Sequence, residues 1–109
     1  MATSFETLAG HGDGVRILRI SGEVDMESSP QLKDQILKSL KGIKVLKLDL
    51  RNVAYLDSSG IAVLIGGKKE AQKAKVDYRL LDPSPQVKAV IELSMLHQFF
   101  SIESTGGPA

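Results

Sequence analysis

The sequence has no cysteine, only two histidines and no long apolar run, and its acidic and basic residues nearly cancel. Each shortage removes a class of function. Without cysteine there is no disulfide framework, no zinc site built on thiolates and no cysteine nucleophile, a composition that fits a cytosolic protein. The longest uninterrupted apolar stretch, Ile61 to Ile65, falls far short of the roughly 20 residues that cross a bilayer. The start Met-Ala-Thr-Ser-Phe-Glu lacks the basic beginning and apolar core of an export signal, so the expected location is the cytoplasm. Fourteen basic against thirteen acidic residues leave a net charge of +1. That supplies little of the field on which phosphate-backbone binding relies, and nucleic acid is not an expected partner.

What is present reads as one ordinary globular unit. A chain of 109 residues, 42% hydrophobic and 25% charged, is expected to form a single domain over residues 1–109, burying about two-thirds of its unfolded surface. Thr3–Ala9 is a weak strand that the glycine-rich run Gly10–Gly14 returns into a second strand, Val15–Ser21. Arg16 and Arg19 interrupt that strand, so at least one of its faces is not dry. Ser29-Pro30 opens a helix with a hydroxyl at N-cap and proline at the first helical position; Leu32, Ile36, Leu37 and Leu40 form its apolar stripe and Gly42 ends it.

Ile43–Leu50 is a strand with one apolar and one mixed face. A helix after Asp57 runs to about Lys75, its lysine-rich end a solvated surface. Val76–Leu81 makes a further strand, and Asp82-Pro-Ser-Pro85 breaks it. Gln86–Leu93 is a short amphipathic helix through Val87, Val90, Ile91 and Leu93. Leu96–Ile102 closes the core as a short helix or strand, and Ser104–Ala109 is expected to fray. Strands separated by helices imply parallel pairing. The predicted fold class is therefore α/β, a small mixed and largely parallel sheet packed with helices, its N-terminal hairpin strand antiparallel.

The most informative run is Leu56-Asp57-Ser58-Ser59-Gly60-Ile61. Asp57 suits an N-cap, its carboxylate accepting from the N–H of Ser59 or Gly60. Ser58 then stands at the mouth of the helix, where unpaired N–H groups and the dipole favour an added anion such as a phosphoryl group. A phosphorylatable switch is one reading and a simple helix cap is the other. Gly22-Glu-Val-Asp25 follows the second strand at the same end of the sheet, so Asp25 is either a neighbour of Ser58 or a turn residue. Gly66-Gly67 inside the helix implies close packing or an adaptable partner surface. An enzyme built on Ser58 fails on inventory: His11 and His97 have no evident route to it, and Gly-x-Ser-x-Gly is absent.

Ile20-Ser-Gly-Glu-Val-Asp25, the run from Leu48 through Asp57-Ser-Ser-Gly60 to Leu64, and Pro85-Gln-Val-Lys-Ala-Val-Ile-Glu-Leu93 together resemble the STAS domain of bacterial anti-sigma factor antagonists. The likeness extends from about Val15 to Ile102. It implies the STAS fold and a non-enzymatic switch without cofactor or metal. The unphosphorylated domain would bind an anti-sigma factor and free a sigma factor. The anti-sigma factor, also a serine kinase, would end the interaction by phosphorylation, and a metal-dependent phosphatase of the PP2C type would reset it. By the same resemblance Ser58 is the phosphoacceptor, Asp25 and Asp57 line its site, and Ser59 and Gly60 complete the helix opening. The alternative is a STAS scaffold or subunit of another assembly, such as a stress-signalling particle or lipid-transport system. Ser94-Met95 stands where family members often place Ser-Gly, which removes a glycine suited to a left-handed turn. Self-association is left open, with the exposed edge of Thr3–Ala9 as the candidate contact.

Overall fold

A computed structural model describes residues 3–105. Five strands stand side by side in chain order: β1 (Ser4–Ala9), β2 (Val15–Val24), β3 (Val45–Leu56), β4 (Asp77–Leu81) and β5 (Ser101–Glu103). Helices α1 (Ser29–Ser39), α2 (Ser58–Ala74) and α3 (Pro85–Leu93) follow β2, β3 and β4 in turn. The glycine-rich loop is short enough to return β1 antiparallel to β2, while each helical crossover carries the chain back to a parallel neighbour. The expected mixed, largely parallel sheet is what forms.

One face of the sheet supplies the core. Leu18, Ile20, Leu46, Leu48 and Leu80 join Leu32 and Ile36 of α1, Leu64 of α2, and Val87 and Ile91 of α3 in a single buried cluster. The other face is wet at its rim and clasped by charges. Arg19 donates to Asp49 at 3.1 Å and to Glu6 at 3.3 Å, and Lys47 and Arg79 converge on Glu103 at 2.9 and 3.2 Å. Asp49 is only 2% exposed, and the bonds it accepts from Arg19 and from the Arg51 backbone N–H make that burial tolerable.

Several expectations are corrected. β2 continues past Ser21 to Val24, and β3 past Leu50 to Leu56. Register shifts between Arg19 and Ser21 and between Gly22 and Glu23 break the two-residue alternation on which the shorter limits rested. The N-cap of α1 is Ser28, not Ser29, and its side chain makes no cap bond. Leu93 is 85% exposed, because the buried side of α3 is the Val87–Ile91 pair one turn apart. The segment Leu96–Ile102 divides into turns, the buried Phe100 and the start of β5.

The glycine pair splits. A Cβ on Gly67 would lie 2.6 Å from the Tyr78 hydroxyl, whereas one on Gly66 would meet nothing within 4 Å. Close packing accounts for Gly67 alone. Met95, at the place of the missing glycine, still takes the left-handed conformation at φ 58°, and Leu96 N–H donates to the Ile91 carbonyl at 2.9 Å to close α3. Asp82 accepts from the backbone N–H of Thr105 at 2.8 Å; the rest of the expected fraying tail, residues 106–109, lies outside the described residues.

Candidate functional site

Val24 and Leu56 are register partners at the carboxyl ends of adjacent parallel strands. The backbone N–H of Asp57 donates to the Val24 carbonyl at 3.2 Å. Asp25 and Asp57 therefore leave the sheet side by side, although they are 32 positions apart in sequence. Functional loops of such sheets gather at this end.

Asp57 leaves β3 in an extended conformation, which turns its carboxylate back over the first turn of α2. Its Oδ1 accepts from the backbone N–H of Ser59 at 2.9 Å and of Gly60 at 3.2 Å, and also from the Ser59 hydroxyl. This is the N-cap expected from the sequence. Gly60 is required here by packing: a Cβ would stand 2.4 Å from Leu56 Cδ1 and 2.9 Å from Val24 Cγ1. The glycine lets the first turn of α2 press against the two strand ends that carry Asp25 and Asp57.

Ser58 differs from its neighbours. Its side chain is exposed, and its hydroxyl has no hydrogen-bond partner among the described residues. The other local hydroxyls are committed: Ser59 to Asp57, Ser29 to the Met26 carbonyl, and Ser28, which donates to the Asp25 carboxylate or the Glu23 carbonyl and accepts from the Asp25 backbone N–H. Of the N–H groups expected to await an anion at Ser58, those of Ser59 and Gly60 are taken by Asp57. A group added to the exposed Ser58 hydroxyl would have the Asp57 carboxylate as its chain neighbour.

Asp25 is a turn residue as well as a neighbour of that site. Its Oδ1 accepts from the backbone N–H groups of Glu27 and Ser28, both at 3.0 Å. The Ser28 N–H, with its hydroxyl and the Glu27 N–H adding to it, holds the Asp25 carboxyl below the ordinary carboxylate range. The bonds fix the turn that presents Met26, 77% exposed. Tyr55, opposite Glu23 in the register, is also exposed. Sequence reading passed over Met26; an apolar residue between two acids in a turn is the signal that would have found it.

Residues 8–109 match the STAS domain family. The chain belongs to that family. It is 29% identical over 94 residues to an anti-sigma F factor antagonist of Paenibacillus polymyxa, an alignment covering 84% of this chain and 80% of that protein. The crystal structure of an anti-sigma factor antagonist from Mycobacterium paratuberculosis superposes with a TM-score of 0.78 at 28% identity, covering 92% of this chain and 86% of that one. The anti-sigma factor antagonist SpoIIAA in its unphosphorylated form shares the fold, with a TM-score of 0.74 at 22% identity over 91% of this chain and 87% of the other. In this STAS domain no group of three or more histidine, aspartate or glutamate side chains could hold a metal ion among the described residues. Nor is any described helix long and apolar enough to cross a membrane.

Proposed function

We propose that this chain is an anti-sigma factor antagonist whose grip on its partner is released by phosphorylation of Ser58. The observation that carries the reading is the free, exposed Ser58 hydroxyl at the mouth of α2, beside neighbours whose hydroxyls are bonded. The names of the relatives, antagonists of anti-sigma F and anti-sigma-B factors, point to the same partner class. That partner is an anti-sigma factor that also acts as a serine kinase, transferring the terminal phosphoryl group of ATP to Ser58 Oγ with release of ADP. A PP2C-type phosphatase hydrolyses the ester and restores the binding form. The cycle runs in the cytoplasm.

The chemistry explains why modification acts at the surface. A phosphoserine brings about −1.5 to −2 charge. Asp57 holds the Ser59 and Gly60 N–H groups, so the first turn has little left with which to offset that charge. The cap persists, so the fold persists. What changes is the potential and volume of a patch where Met26, Tyr55 and Ser58 would meet the partner, and like-charge or unpaired-charge contacts in an interface cost several kcal/mol.

Calorimetric titration of a cognate anti-sigma kinase tests this. The Ser58→Asp variant is expected to bind more weakly by about 2–5 kcal/mol, with its circular dichroism spectrum unchanged. Wild-type affinity in the folded variant would contradict the reading and favour a scaffold role.

A further inference from the structure

We infer that β1 pairs edge to edge with β1 of a second copy of this chain, doubling the five-stranded sheet across a two-fold axis at Thr7. The two edges of the sheet are built differently. β5 is three residues long and pinned through Glu103 by Lys47 and Arg79. β1 offers six residues, Ser4-Phe-Glu-Thr-Leu-Ala9, with no proline and no lysine, and it pairs with β2 without a register shift. Apart from the charge of Glu6, such a strand carries none of the devices that keep an edge from pairing.

The side chains select the register. Phe5 and Thr7 lie on the helix side of the sheet with their partners Ile20 and Leu18, whereas Glu6 and Leu8 lie on the open side. Residues paired across a new antiparallel junction must share a face, so the axis passes through a residue rather than between two. An axis at Glu6 opposes two carboxylates. An axis at Thr7 sets Thr7 against Thr7, Phe5 against Ala9 of the second copy and Glu6 against its Leu8, the longest overlap that keeps the carboxylates apart. Threonine pairs are favourable in this position. Glu6 is already drawn toward Arg19.

The flank of the edge is self-complementary. α1 packs on α2 and β2, and a cleft toward the edge is lined by Phe5, Pro30, Gln31, Asp34 and Gln35. The helix carries Asp34 and Lys38 one turn apart, an exposed pair of opposite sign. A two-fold axis reverses that order on the second copy, so acid meets base. Because β1 is antiparallel to its mate, the two Ser58 ends point away from each other and both stay accessible.

Sedimentation velocity and light scattering of the full chain across concentration are the measurements. Wild type should dimerise reversibly. T7K and T7E should each weaken the dimer about 3- to 30-fold, since both the threonine pair and the like-charge contact enter. An equimolar T7K and T7E mixture should recover dimerisation by placing lysine opposite glutamate. Circular dichroism confirms that each variant is folded, as expected for an exposed side chain. Wild type that stays monomeric to about 1 mM leaves the edge to an extended segment of another protein and overturns the inference. So do variants that dimerise like wild type, or a mixture that recovers nothing.

Discussion

Two helices open at the same end of the sheet from the same ingredients, and they treat their serines in opposite ways. At α1, Asp25 is followed by Ser28 and Ser29; at α2, Asp57 is followed by Ser58 and Ser59. Asp25 sits three residues before Ser28 and spends its carboxylate on a turn, so Ser28 is drawn inward, its hydroxyl both donating and accepting. Asp57 is itself the cap, and the residue immediately after it has nothing left to bond. A one-residue cap leaves an unbonded hydroxyl in solvent, whereas a three-residue turn consumes it. Accessibility at this end is thus set by the spacing from the aspartate.

The comparison breaks most readily at Gly60. Gly60→Ala is expected to cost about 1–3 kcal/mol in urea unfolding, because the new methyl group overlaps Leu56 and Val24 and over-packing outweighs the helix preference of alanine. A stabilised variant would mean that α2 can ride away from the strand ends, and that its closeness to Asp25 is not enforced. Asp57→Ala comes next. Losing a cap that serves two backbone donors should cost about 0.5–2 kcal/mol, read as a lower thermal midpoint; an unchanged midpoint would remove the distinction between the two openings.

The sharpest contrast is the smallest in size. Ser28→Ala should cost about 0.5–1.5 kcal/mol, since its hydroxyl is bonded and half-buried. Ser58→Ala should stay within about 0.5 kcal/mol of wild type. Equal costs for the two serines would contradict the account of one committed and one free hydroxyl.

Much of this was legible in the chain. The Asp57 cap, the length of α2 and the sheet with its single antiparallel pair follow from cap chemistry and periodicity, which are local. The extensions of β2 and β3 did not, because bulges near Ser21 and Gly22 disrupt alternation, and Gly22, left-handed at φ 97°, reads equally as a bulge or as the start of a loop. The fate of Ser28 was hidden for a similar reason: whether Asp25 caps or turns depends on where β2 ends. Leu93 misled because a helical stripe predicts burial only where another element covers it, and the end of α3 is uncovered. Gly66 and Gly67 look alike in sequence; only the position of Tyr78 separates them.

The central claim is that Ser58, alone among the serines of this end, is free to react. Peptide mapping by mass spectrometry after incubation with a cognate anti-sigma serine kinase and ATP tests it most directly. One phosphate on the peptide holding Ser58, assigned to that residue and absent from Ser58→Ala, is the predicted result. Phosphate on Ser28, Ser29 or Ser59, or undiminished labelling of Ser58→Ala, would contradict it.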